Sequence, residues 1–524
     1  MNRKQLALVM FLVSIVMGLI GGGLFYPYIL GFNVPIYMTL ATGIILLVAR
    51  LSHEKVNRRN LWVIIPMLFF ALMVAVRAAP MMITLNLMAT IGLGTLFVRY
   101  LRSQQAIDTA PLSDHIFTPL DVGLYSIYAP FVEVGHSLSF VRERNWKDAG
   151  NLGAVLRGLL FAVPVLLVFG VLLGSADEVF ANSFDGLFDW LFSANIFDFF
   201  DPLMIAGIIG WLMLSALSYA LTRRIPELEE LPEESDTDLK KQRPSFRIGI
   251  IEATMVLGSV ALLFGFFVLI QFTYLFGGQA NIAETLNYSQ YARRGFFELV
   301  AVAVLVLGMI LFFDHITLRR DNRQGILFRG LAIVIVGLTM VMLVSAWRRM
   351  ELYELAYGFT YLRVLTHVFM FWLAVLLVFS ILDVMRVRTN IFALGVLLSC
   401  IGYIATLNVM NIDNYIAERN IQAYFAEETE VELDICYLRT LSVDAFPALY
   451  NFYYQLPEND NNQFQDHLGW WYKDQVYQSS QQIDSNNGLT IHLAHMDILM
   501  KDITMSPLDL DKNIQYSCYG RVGF

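Results

Sequence analysis

Apolar residues in this chain gather into long unbroken stretches separated by short polar loops. Eleven stretches reach the ~17–25 residues with which an α-helix crosses a bilayer. They cover 6–23, 29–49, 61–78, 80–98, 152–174, 202–222, 248–276, 295–313, 326–346, 361–383 and 390–410. Basic residues fall almost entirely in every second loop. Before residue 410, 24 Lys and Arg lie on one side of this alternation and 6 on the other. Basic loops stay in the cytoplasm, so the N-terminus is expected inside and residues 411–524 outside. The pattern predicts an all-α polytopic membrane protein with about 11 transmembrane helices. A small, mostly α-helical C-terminal extracytoplasmic domain follows.

The remaining segments fit this frame. Arg3 and Lys4 before the run Leu6–Ile20 resemble a signal peptide, but the run is long for one and no A-x-A site follows. Retention of this helix is the expectation. Residues 103–150 read as a cytoplasmic or interfacial segment, with an interfacial helix around 121–141 that Glu133 and His136 keep from crossing. Residues 175–201 carry six acidic side chains, no basic one and several Phe and Trp, as expected of an outer hairpin anchored at headgroup level. A charged cytoplasmic linker, 223–247, divides a six-helix half (1–222) from a five-helix half (248–410). In the tail, Asp413 is expected to cap a helix over 414–427, and Ser442 or Asp444 to start one over 445–455.

Composition adds two points. Residues 410–524 hold 17 acidic and 6 basic side chains, whereas the whole chain has a net charge of −9, so the membrane part is slightly basic. An acidic tail with no basic stripe argues against nucleic acid as a partner. Of three cysteines, Cys436 and Cys518 fall in the tail, where an oxidising compartment favours a disulfide between them. Two buried thiols are the alternative.

Signatures of nucleotide-binding, hydrolytic and zinc enzymes are missing from the sequence, and no cofactor or metal is expected. His492 and His495, with Asp497 nearby, read as ordinary histidines rather than metal ligands. Ionisable residues within the spans are few, and all but His367 lie close enough to a helix end to snorkel. One region differs. Arg293, Arg294 and Arg363 oppose the charge bias at the outer helix ends, with Glu298, Glu351, Glu354 and His367 close in sequence. This candidate outer cluster is either an ion-paired cap joining three helices or a site for an anionic headgroup or a peptide. Arg294 is expected to pair with Glu298, four residues on, and Arg363 to lie near a carboxylate.

The same segments carry a resemblance. The run Tyr291-Ala292-Arg293-Arg294-Gly295-Phe296-Phe297-Glu298 resembles the signature of a bacterial family of multi-spanning membrane proteins known only as a domain of unknown function. Ser175 to Ala181, Glu351 to Arg363, Asn411 to Ala417, Leu433-Asp434 with Tyr437-Leu438, and Asp444 with Pro447-Ala448-Leu449 extend it over roughly 150–450. The resemblance implies this architecture and the bacterial cytoplasmic membrane, and carries no activity. The leading expectation is a non-enzymatic envelope protein that binds, senses or scaffolds. Membrane lipids, and an envelope protein or ligand at the outer face, are its expected partners. A transporter or lipid flippase is the second reading, and an envelope enzyme acting on lipid or glycan the third.

Overall fold

The computed structural model describes residues 2–26, 30–145, 197–223, 247–275, 296–319, 321–426, 433–455, 468–469, 471–472 and 474–475. These residues are helical almost throughout. Among the described residues ten helices are long and apolar enough to cross a membrane, which makes the chain a multi-pass membrane protein. The expected span over 152–174, the outer hairpin up to 196, most of the linker, Arg293, Arg294, His492, His495 and Cys518 lie outside the described residues, whereas 197–201, expected in the hairpin, open a spanning helix.

The spanning helices are α1 (Arg3–Phe25), α2 (Asn33–Leu51), α3 (Ile64–Val76, entered by a 3-10 turn Arg58–Val63) and α4 (Pro80–Tyr100). Beyond α5 (Leu112–Asn145) come α6 (Phe197–Leu221), α7 (Ile250–Leu275), α8 (Phe296–Ile316), α9 (Asn322–Tyr357), α10 (Tyr361–Val384) and α11 (Ile391–Met410). The tail supplies α12 (Ile412–Phe425), α13 (Ile435–Leu438) and α14 (Phe446–Gln455). The two largest apolar cores lie among these helices. One is built from α1 to α6; the other joins α7 to α10 with Phe392 at the start of α11. Further along α11, Leu397, Ile401 and Ile404 lean on the first core, so this one helix touches both.

Small residues bring α1 and α6 together. A Cβ added to Gly18 would lie 2.4 Å from the Ala206 carbonyl oxygen, and one on Gly22 2.8 Å from that of Pro202. Without a hydrophobic drive between helices in lipid, such close backbone contact is what gives a helix pair its packing energy. On α11, Gly395 and Gly402 leave the space that Phe379 and Trp372 of α10 fill.

Charges gather where one set of helix ends meets α5. Glu133, 1% exposed, receives both Arg3 guanidinium nitrogens (2.6 and 3.0 Å) and the Ser218 hydroxyl (2.7 Å). Arg99 lies beside Asp114 and Asp121, and Asp108 takes both Arg59 and Arg388. We refer to this as the basic end, and to the opposite one as the far end.

Several boundaries differ from those the sequence suggests. Helix α5 runs 34 residues rather than about twenty, passing straight through Pro119 and Pro130. A proline frees the carbonyl four residues earlier, and the carbonyl freed by Pro130, that of Ser126, accepts the Trp211 indole N–H at 2.8 Å. The helix survives because its neighbour satisfies the gap. Likewise α9 does not stop at 346. It contains no breaker before Gly358, whose φ of 77° ends it, so 36 residues form one helix. At 1.5 Å per residue that is about 54 Å, well beyond the ~30 Å hydrocarbon core, and the expected loop over 347–357 is its projecting end.

Candidate functional site

The far ends of the spans carry the densest buried polar network away from α5, and the tail builds it. Helix α4 starts with Pro80 in its first turn, and the amides leading into it have no partner within the helix. Asp444 supplies one: a single carboxylate oxygen accepts from Ala78 N (2.9 Å) and Ala79 N (3.1 Å). A negative charge here also faces the positive end of the α4 dipole. The start of α10 is served in the same way. The Asn420 side chain accepts from Phe359 N (2.7 Å) and donates to the Phe359 carbonyl (2.9 Å), while the Tyr437 hydroxyl accepts from Tyr361 N (2.9 Å). A side chain on Gly358 would collide with Asn420. Three tail residues therefore cap two membrane helices.

Asp413 lies beside Asp444 and is as deeply enclosed; the two are 2% and 3% exposed. One Asp413 oxygen accepts the Tyr361 and Ser442 hydroxyls, each at 2.7 Å, while its Oδ1 is buried with no hydrogen-bond partner. Asp413 thus does not cap the helix it opens, as its position suggests; its side chain turns across to α10. Arg77, just beyond α3, supplies the positive charge near both acids. It does not snorkel outward: its guanidinium donates to the Asn408 carbonyl. Burial raises the pKa of both carboxyls, and that of Asp444 is pushed up to about 6. Around them Ile416, Leu438, Phe446 and Leu449 share one apolar core with Ala79, Met82, Val364 and Leu407 of the spans. The tail is packed onto the bundle, not tethered to it.

Beneath this layer, Asn86 of α4 and Asn408 of α11 exchange two side-chain hydrogen bonds (2.9 and 2.7 Å), both fully buried.

The outer cluster drawn from the sequence separates into parts. Glu354, 4% exposed, pairs with His367 Nδ1 at 3.0 Å, and the His367 ring lies 4.5 Å from that of Trp347. Arg348 reaches Glu351 in an exposed pair at 2.8 Å, the kind that contributes ~0–1 kcal/mol. Arg363 forms no ion pair among the described residues. Its guanidinium donates to the Tyr357 and Gly358 carbonyls, the open end of α9, and sits 4.2 Å from the Tyr353 ring centre. The reason is local: the last carbonyls of a helix attract a cation as a carboxylate would. Glu298 is exposed on α8, and its expected partner Arg294 lies, with Arg293, outside the described residues. So does Cys518.

Sequence reasoning misses Asn86, Asn408 and the joint role of Asp413 and Asp444. The amides are visible as polar residues inside apolar stretches, a signal that attention to ionisable positions alone passes over. Both aspartates stand in family-like motifs and look like local helix starts, because the residues they serve lie 52 and 366 positions away.

Residues 64–452 match the family model described as Domain of unknown function (DUF4153). No curated protein and no solved structure matches the chain. The matched stretch runs from α3 through α14 and so contains Arg77, Asn86, Glu354, His367, Asn408, Asp413 and Asp444 together; the chain belongs to the DUF4153 family.

Proposed function

We propose that the chain is a non-enzymatic sensing or binding protein of the bacterial cytoplasmic membrane, its basic end in the cytoplasm and its tail outside. The observation that carries this reading is the capping of α4 and α10 by tail side chains. A ligand that shifts the tail must uncover helix starts, and the uncovered amides transmit the shift to the bundle. The largely buried Glu354–His367 pair lies under the exposed Trp347 ring, one helical turn from Arg363. Two measurements test the proposal. Single cysteines replacing Ser480 and Ser235, in a chain whose Cys400, Cys436 and Cys518 are all replaced by serine, are labelled in intact cells with an impermeant maleimide; label at 480 and not at 235 is expected. Full-length protein in nanodiscs is then followed by hydrogen exchange as phosphatidylglycerol or soluble peptidoglycan fragments are added. Added protection over 347–367 and 411–455 supports sensing.

A second reading has its own observation. Two apolar grooves flank α6, of about 490 and about 500 Å³. On the larger, between α2, α4, α5 and α6, the hydroxyls of Thr42, Thr90, Thr95 and Ser126 are all bonded back to carbonyls of their own helices. Its wall suits a hydrocarbon chain better than a polar solute, which favours a lipid flippase over a solute transporter. Protection confined to this groove would move the proposal to that class.

A disulfide between Cys436 and Cys518 belongs to the same proposal. An oxidised tail is expected to migrate faster on a non-reducing gel than the Cys518→Ser variant. Bonding would stabilise the tail by ~2–4 kcal/mol; equal migration would exclude it.

A further inference from the structure

We propose that the Asp413–Asp444 pair is a proton-binding clasp: it holds the tail on the ends of the spanning helices, and it tightens when the surrounding medium turns acid. The inference rests on the reading above in one respect, that the tail faces the envelope, where pH follows the exterior.

The geometry supplies the argument. Two carboxylates, both at least 97% enclosed, share one nearby cation, Arg77, whose guanidinium is committed to the Asn408 carbonyl. The groups facing them are Arg77 from the end of α3, Tyr361 from α10 and Tyr437 from α13. The amides of Ala78 and Ala79 precede α4; among the described residues α11 contributes the neutral Asn408, and the junction with α12 the neutral Asn411. With both acids ionised, the enclosed set carries one uncompensated negative charge, and Asp413 Oδ1 has no donor to meet it. A single added proton removes that charge. It also leaves the other Asp444 oxygen free to keep accepting from the two amides. An open clasp offers no such gain, because a carboxyl in water holds its proton far less tightly.

The sign follows from the two states. Asp444 has a pKa of about 6 when docked, against 3.8 in solvent. The docked state therefore binds protons in preference, and docking strengthens as pH falls through 6 towards 3.8. An ordinary salt-bridge latch would do the opposite. From these values the closed-to-open ratio rises about fourfold between pH ~7.5 and ~5.5, and about 25-fold by pH ~4.5.

The test uses the full chain in phosphatidylethanolamine–phosphatidylglycerol nanodiscs, both faces open to buffer. Hydrogen exchange, corrected for its intrinsic pH dependence, is read in peptides covering 77–80 and 411–455. Protection of both is expected to rise together on acidification, with an onset near pH 6 and a continued rise towards 3.8, while peptides of α8 and α9 stay level. Asp444→Asn, neutral at every pH and still able to accept from both amides, should be well protected and insensitive to pH. Asp444→Ala should lose protection at every pH. If Asp444→Asn keeps the wild-type profile, or if wild-type protection falls on acidification, the clasp is not a proton site. Should the asparagine variant fail to insert, the direction and onset of the wild-type profile decide alone. Labelling at position 235 rather than 480 would overturn the envelope reading and leave these exchange results standing, so the two failures are distinguishable.

Discussion

Gly18→Leu is expected to abolish recovery of folded protein, because the position has no room for a Cβ, let alone a branched side chain. A Cβ there would meet the Ala206 carbonyl oxygen and the Cα of Gly210, at 2.4 and 3.0 Å, and both are backbone of α6. A flexible side chain could move aside; a helix backbone moves only as a whole. Overpacking in a fitted core costs ~1–3 kcal/mol for added methylenes, and here α1 and α6 must also separate, taking Glu133 away from Arg3 or from Ser218. Gly43→Leu is the control. It sits on an equally apolar helix with nothing within 4 Å of its Cβ, and is expected to be neutral. Thermal stability in detergent, read as the surviving monodisperse fraction after heating, separates the two. Equal melting of both variants would show that α1 and α6 do not meet through Gly18.

Asn408→Leu should destabilise the bundle more than Asn86 and Asn408 together replaced by leucine would suggest. The single change strands the Asn86 amide, fully buried, with its two bonds to Asn408 gone. An unmet buried polar group costs ~1–3 kcal/mol, whereas removing both partners leaves nothing unmet. The double variant is therefore expected to recover part of the loss, a coupling of ~0.5–3 kcal/mol in the cycle. Interhelical bonds in membranes average near the low end, about 0.6 kcal/mol, because an unfolded segment finds other partners in lipid. Strict additivity would mean that the two amides act independently. The main-chain carbonyl of Asn408, which receives Arg77, is kept in the single variant, so the loss is expected in the bundle and not in the docking of the tail.

The apolar runs make the spans legible, since each helix must satisfy its own backbone in lipid. Their ends are less so. Nothing in the sequence around Pro130 shows that Trp211 will occupy the carbonyl it frees, and α5 therefore looks shorter than it is. The end of α9 is misplaced for the converse reason: charged residues at 348–354 read as a loop, although charge by itself does not break a helix. The candidate cluster is legible as an excess of outer charge, and Glu354 with His367 do come together. Arg363 finds no carboxylate among the described residues, because a local pair of carbonyls is closer at hand. The acids that matter most in the tail look ordinary in sequence. Their partners are distant, and periodicity and spacing report only on neighbours.

The bond from Ala78 to Asp444 spans 366 positions. At ~5–20 residues per second, the ribosome needs about twenty to seventy seconds to travel between them. Throughout that interval the start of α4 stands in the membrane with its first amides uncovered. They acquire their partner only after the spans between the two residues and the start of the tail have been made. A chain truncated anywhere before residue 444 would present the same exposed helix start as an unfinished one. A segment made long after the fourth helix is thus the one that completes it, and its arrival distinguishes a covered helix start from an exposed one for any protease patrolling that face.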